Sequence, residues 1–220
     1  MNTESIMAAH VKNESTIHRH LWTLWSMVYG LQAQRILEFG HGVSTAVMLH
    51  ALERLQLDHE QLDERTLISN GLGDQVISQD GHFDDVSLEY HQCRSTEMAG
   101  VIGDNGPYDF VLHDGAHDAL TVAGDLSRAL PRLKRYGILM VHDVEQHSLG
   151  KEMREGVTMA RADFPGRLSG TVLPFSDGML IARVEETSYD VGEVKTDWHA
   201  SYTKPAVSVP WLSTTFSEFR

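Results

Sequence analysis

RILEFGHGVSTAVMLHAL, Arg35–Leu52, joins two kinds of periodicity across three residues. Ile36, Leu37 and Phe39, with Glu38 set among them, make a short apolar run suited to a buried strand. Gly40-His41-Gly42 stops that run, and a helical pattern opens at Ser44, with Ala46, Val47, Leu49, Leu52 and Leu55 on its buried side. A strand that ends in glycines and turns directly into a helix leaves backbone N–H groups aimed at whatever lies over the strand's end. Such a turn is a cradle for a polar small molecule.

Outward from this unit the same alternation continues. Thr66–Ser69 reads as a second strand ending at Asn70-Gly71, and Val86–His91 as a third that alternates Val, Leu and Tyr with Ser, Glu and His. YDFVLHDG, Tyr108–Gly115, is a buried strand by its apolar centre and ends in Asp114-Gly115. A helix carrying Leu120, Ala123, Leu126, Leu130 and Leu133 is expected from there to Gly137, bent or split by Pro131. GILMVHDV, Gly137–Val144, is a further buried strand ending in His142-Asp143; Leu149, Met153, Val157 and Ala160 outline the next helix, stopped by Pro165. Thr171–Phe175 and Met179–Val184 form a hairpin around Ser176-Asp177-Gly178. Seven strands alternating with helices predict an α/β fold with a mostly parallel sheet. Two central strands then deliver acids to their C-terminal ends, where open parallel sheets place their chemistry.

Upstream, Ser15 caps a helix whose stripe is Ile17, Leu21, Leu24, Trp25, Val28 and Leu31; His10, His18 and His20 are read as polar residues of its outer face. Downstream of the hairpin the chain turns polar, with Trp198, Tyr202, Pro205, Pro210, Trp211 and Phe216 spaced without period. That tail suits covering the body or a pocket, or reaching a neighbouring subunit, which leaves a homo-oligomer through the terminal regions open. The expected division is a helical extension over 1–33, one α/β domain over 34–186 and the tail over 187–220.

Composition narrows the function. A formal net charge of -13 over 220 residues opposes nucleic acid and anionic membranes, so a small-molecule partner is expected and neither nucleic acid nor membrane. The run Arg128, Arg132, Lys134 and Arg135 reads as a solvated helix end. The single cysteine, Cys93, excludes an intramolecular disulfide and a zinc–thiolate set. With no apolar run of transmembrane length and a charged N-terminus, an unprocessed cytoplasmic protein is expected.

The chemistry-bearing residues sit at the strand ends. Glu38-x-Gly40-x-Gly42-x-Ser44 lacks the third glycine of the dinucleotide fingerprint and carries an acid that pyrophosphate would not welcome. A cationic sulfonium ligand with an α-amino group is helped by such a carboxylate, which favours S-adenosylmethionine over a nicotinamide cofactor. Asp74–Asp85 is acidic but lacks the ligand spacing and closing glutamate of a calcium loop. His113 and His117 have the separation of a zincin pair, but one belongs to a strand and Gly115 opens a turn, so their rings should diverge.

Taken together, ILEFGHGVST and PYDFVLHDGAHDALTVAGDLSRALPRLKRYGILMVHDV resemble the class I S-adenosylmethionine-dependent methyltransferases. The likeness is greatest to the small-molecule O-methyltransferase branch, and it covers roughly residues 35 to 145. It implies a Rossmann-like, doubly wound sheet of seven strands with a C-terminal antiparallel hairpin. It also implies that Gly40, Gly42 and Ser44 border the methionine part of the cofactor, with Glu38 beneath them and Asp114 nearby. The family's ribose-binding acid at the end of the second strand is replaced by Asn70, with Asp74 as a substitute from the following turn. By the same resemblance Asp114, His142 and Asp143 correspond to the metal ligands of catechol-type relatives, for magnesium or, given the imidazole, manganese, iron or zinc. The competing reading has Asp114 and Asp143 only capping the helices that follow. His117 stands where those relatives carry a catalytic lysine, and an imidazole titrating near neutrality suits removal of a hydroxyl proton. The expected activity is therefore methyl transfer to a hydroxyl oxygen of a small molecule, metal-assisted, with His117 and Asp114 as catalytic residues. The alternative is a nucleoside-binding or assembly module that keeps the fold without turnover.

Overall fold

The structure is a computed structural model and describes residues 20–59, 64–73 and 86–187. Seven strands form one sheet: β1 Arg35–Phe39, β2 Arg65–Gly71, β3 Val86–Gln92, β4 Tyr108–His113, β5 Leu133–His142, β6 Arg167–Leu173 and β7 Met179–Glu186. Their order across the sheet is β3-β2-β1-β4-β5-β7-β6. β1 to β5 are mutually parallel, while β7 runs antiparallel to both β5 and β6. The expected mostly parallel, Rossmann-like sheet with its C-terminal hairpin is the observed one.

Alternation along the strands decides which side each helix covers. Ile36, Leu67, Phe110, Leu112, Ile138 and Met140 share one face with Leu24 and Val28 of α1 (Leu21–Gly30) and Met48, Ala51, Leu52 and Leu55 of α2 (Val43–Asp58). Leu37, Val111, Leu139 and Val141 share the other with Ile102 of α3 (Ala99–Asn105), Val122 and Leu126 of α4 (Ala119–Ala129), and Met153 and Val157 of α5 (Gly150–Asp163). The central strands are buried on both sides, which is why they read as nearly continuous apolar runs. Consecutive strands step outward from β1 to β3, and the chain then returns to place β4 on β1's other side. The sheet therefore opens a crevice over the C-terminal ends of β1 and β4.

Several sequence expectations shift. The helix expected to reach Gly137 ends at Ala129; a short 3-10 turn, Leu130–Arg132, follows, and β5 already begins at Leu133. Pro131 lacks the N–H that would continue the α-helix, so the pattern of leucines runs on into the strand. Of the four basic residues read as one helix end, only Arg128 lies in the last helical turn, and Lys134 sits in β5, paired with Asp109 at 2.7 Å. The outward placement of His20 does not hold: it is fully buried. It precedes Leu24 by four residues and Val28 by eight, so it extends the same inner stripe. Ser15, Ile17, His10 and His18, the acidic stretch 74–85 with Asp74, and the aromatic tail lie outside the described residues. No described helix is long and apolar enough to cross a membrane.

Candidate active site

The turn after β1 is held from below. Glu38 is fully buried; its Oε1 accepts from the Ser44 hydroxyl and its Oε2 from the Thr45 hydroxyl, both at 2.6 Å. Thr45 Oγ1 in turn accepts from the Gly42 N–H at 3.0 Å, and Ser69 donates to the Gly40 carbonyl at 3.0 Å. Burial raises the Glu38 pKa to about 7, although the surrounding hydroxyls pull the other way. The acid therefore fixes the loop and the first turn of α2 rather than facing solvent. Ser44, expected beside the cofactor, is buried and its hydroxyl is committed to Glu38, so only its backbone is left to meet a ligand.

The two motif glycines have different reasons to lack a side chain. Gly40 adopts φ +105, and a Cβ there would meet the Asp114 carbonyl oxygen at 2.5 Å. Gly42 has an extended φ of -178, and a Cβ there would meet nothing within 4 Å. The fold demands the first; the second leaves open space at the N-terminus of α2.

Beside this loop lies a cavity of about 500 Å³, in the range of small-molecule sites, walled by the ends of four parallel strands. Phe39 closes β1 and Gly40 and His41 follow it, Asn70 and Gly71 close β2 and Leu72 follows, Cys93 to Thr96 follow β3, and Gly115 and Ala116 follow β4. Asn70 is oriented to receive a hydroxyl: its Nδ2 donates to the Cys93 carbonyl at 3.1 Å, while its buried Oδ1 has no hydrogen-bond partner. A buried acceptor without a partner, on a residue of the cavity wall, suits a hydroxyl donor such as a ribose's. The wall over Cys93–Thr96 was not foreseen, because a polar turn after a strand carries no sequence signature of its own.

Next to the cavity, β4 and β5 bring together the three residues expected to bind a metal. Asp114, His142 and Asp143 offer ligand atoms that all lie within 4.8 Å of one another. His142 Nδ1 is 3.1 Å from Asp114 Oδ1 and 3.1 Å from Asp143 Oδ1, yet neither His142 Nδ1 nor the buried Asp143 Oδ1 is aligned for a hydrogen bond. Three donors that converge without satisfying each other fit a cation among them. The three groups also compensate one another's charge directly. Burial alone would lower the His142 pKa, but Asp114 and Asp143 outweigh it and hold the ring at about 9. Burial would likewise raise Asp143, and contacts with His117 and His142 instead bring it well below the usual carboxylate range. Asp143 also sits at φ 61, a left-handed conformation rare for a residue with a side chain.

Helix capping, the competing role for these acids, falls elsewhere. Asp118 caps α4 by accepting from the Thr121 N–H at 2.9 Å, and α5 begins at Gly150, seven residues beyond Asp143. His117 lies ahead of α4 with its Nε2 2.7 Å from Asp143 Oδ2, a bond that raises its pKa. His113 turns the other way, into the core, 3.3 Å from Asp125, so the zincin-like pair diverges as expected. His20, to which the sequence assigns no role, packs its ring 5.3 Å from that of His142 in an edge-to-face arrangement and 4.7 Å from Phe175. Burial lowers its pKa to about 4.

A sequence model of the family described as "Methyltransferase domain" matches residues 37–144, the span from β1 to the residue after Asp143. A search of curated proteins finds no match. Among solved structures the chain is similar to an O-methyltransferase from Bacillus cereus in complex with SAH, with a TM-score of 0.57 and 17% identity, over 83% of this chain and 88% of that one. It is similar to the O-methyltransferase TomG from Streptomyces achromogenes, involved in tomaymycin synthesis and solved with SAM, with a TM-score of 0.54 and 16% identity over 84% and 90% of the two chains. It is also similar to MycE from the mycinamycin biosynthetic pathway, solved with Mg, SAH and mycinamycin VI; the TM-score is 0.52 and the identity 17%, over 82% of this chain and 52% of that one. At these identities the likeness is one of fold. With the family match, residues 37–144 carry a methyltransferase domain, and the described chain takes the fold of these methyltransferases.

Proposed function

We propose that the chain transfers the methyl group of S-adenosylmethionine to a hydroxyl oxygen of a small molecule, beside a divalent metal held by Asp114, His142 and Asp143. The observation that carries this is the adjacency of two features: an open cavity of about 500 Å³ at the glycine turn and a converging donor cluster at the next strand ends. When bound, the cofactor supplies an electrophilic methyl group on a sulfonium, and the metal a positive charge that eases ionisation of the acceptor hydroxyl. Gly40 lets the turn close against Asp114, Gly42 leaves open space at the N-terminus of α2, and Asn70 Oδ1 would accept from the ribose. The imidazole among the metal ligands favours manganese, iron or zinc over magnesium, which prefers oxygen donors.

His117 serves as the proton acceptor. Its Nε2–H donates to Asp143 Oδ2, which fixes the ring and leaves Nδ1 as the basic nitrogen. With the cofactor supplying its methyl group and leaving as the neutral thioether, His117 Nδ1 would take the proton of the acceptor hydroxyl. Displacement at carbon needs no covalent help from the protein; alignment of the reacting atoms carries most of the acceleration.

The test is a single-turnover methyl-transfer assay against a panel of phenols, vicinal diols and sugars, run with manganese, with magnesium and with chelator. His117→Ala is expected to lower the methylation rate by about 10²-fold or more with little change in S-adenosylhomocysteine affinity. Loss of both together refutes the base assignment, and tight cofactor binding with no turnover on any hydroxyl compound favours the non-catalytic module.

A further inference from the structure

We infer that His20 is a positioning residue of the metal centre, holding the His142 ring through the nitrogen that faces away from the two aspartates. The inference rests on the reading of Asp114, His142 and Asp143 as metal ligands. With Nδ1 turned to the carboxylates, His142 must carry its proton on Nε2 when it ligates, and a ligating imidazole is ordinarily fixed by a partner for that second nitrogen. Here Nε2 is buried and has no hydrogen-bond partner. His20 is the ring packed against His142, edge to face, with centroids 5.3 Å apart.

His20 is itself 0% exposed, and neither of its ring nitrogens makes a well-aligned hydrogen bond, the Phe175 backbone being a poorly aligned partner. Two adjacent buried imidazoles whose remaining nitrogens lack well-aligned partners are costly unless they serve one another or a ligand. A centroid separation of 5.3 Å leaves about one hydrogen-bond length between nitrogens that point at each other. The proposed bond therefore requires the His20 ring to turn toward Nε2 while His142 keeps Nδ1 on the carboxylates. Phe175 packs on His20 with ring centroids 4.7 Å apart and supports it in place. On metal binding, His142 Nε2–H donates to the acceptor nitrogen of His20, and the start of α1 thereby becomes the outer support of a ligand on β5. His20 remains outside the ligand set, whose atoms belong to the other three residues.

The experiment titrates the full chain with MnCl2 by calorimetry, for wild type, His20→Phe and His20→Gln, and records for each the metal-free melting temperature and the affinity for S-adenosylhomocysteine. His20→Phe keeps the ring volume and removes the acceptor; it is expected to weaken manganese binding about 10- to 100-fold. Its metal-free melting temperature should be unchanged or higher, because an unsatisfied buried polar group is gone, and its S-adenosylhomocysteine affinity should be unchanged. His20→Gln offers an acceptor oxygen and should recover part of the manganese affinity. If His20→Phe binds manganese as tightly as wild type, the metal centre stands and the positioning role is refuted. If both variants lose metal affinity only in step with a fall in melting temperature, His20 is a packing residue and the inference is overturned. If wild type itself binds no manganese, the metal reading fails and takes the inference with it.

Discussion

Replacing Glu38 by glutamine isolates the one acid buried beneath the cofactor turn. The carboxyl has an ordinary pKa of 4.5 and is raised to about 7 in the folded chain, chiefly by burial. Because the folded state holds its proton more tightly, the group's contribution is fully favourable below pH 4.5 and is lost as pH rises through about 7. At about 1.4 kcal/mol per pKa unit, the loss amounts to about 3 kcal/mol between pH 4.5 and 8. The Glu38→Gln variant keeps the shape but has no charge to bury, so it carries no such dependence. Urea unfolding of both proteins across this range should show the variant gaining on wild type by about 3 kcal/mol from the acid end to pH 8. Taking the difference removes the parallel titrations of His142 and His117, which both proteins share. A difference that stays flat with pH, within about 0.5 kcal/mol, would refute the reasoning that Glu38 is a desolvated carboxyl.

Gly40→Ala should destabilise the fold by more than about 2 kcal/mol, since it combines a φ of +105 with a 2.5 Å approach to the Asp114 carbonyl, whereas Gly42→Ala should stay within about 0.5 kcal/mol; chemical denaturation distinguishes them. Asn70→Ala removes the unpaired Oδ1 acceptor and is expected to weaken S-adenosylhomocysteine about tenfold or more in calorimetry, without lowering the ligand-free melting temperature by more than about 5 °C. Manganese should raise the melting temperature of the wild-type chain and leave Asp143→Asn nearly unmoved, and a chelator should reverse the rise; an equal response from both proteins would remove Asp143 from the ligand set.

What was legible in the sequence was what depends on local pattern. Ile36, Leu37 and Phe39 against Gly40 announced a buried strand and its turn, and the same logic located the ends of β4 and β5, where Asp114, His142 and Asp143 meet. The family motif then set these residues in register with one another before any contact was known. Less legible was what depends on the third dimension. Leucines at helical spacing continue past Pro131, so the break between α4 and β5 was hidden until the strand's pairing with β4 revealed it. His20 looked like surface because a histidine is polar, yet its spacing to Leu24 and Val28 already placed it on the core face. Ser44 was set beside the cofactor by the family resemblance, which carries no sign that its hydroxyl is bonded to the acid two residues before Gly40. The cavity wall over Cys93–Thr96 depends on where β3 ends beside β2, which no single-sequence pattern reports.

Calorimetric titration of S-adenosylhomocysteine into the wild-type chain and into Gly42→Arg tests the central claim most directly. Gly42 follows His41 of the cavity wall and has an extended backbone with open space at its Cβ position, so the variant should fold with an unchanged ligand-free melting temperature while its long side chain reaches across the cradle. The account predicts saturable one-site binding to wild type and its loss in the variant. No heat at millimolar ligand in wild type, or equal binding by both proteins, would contradict it.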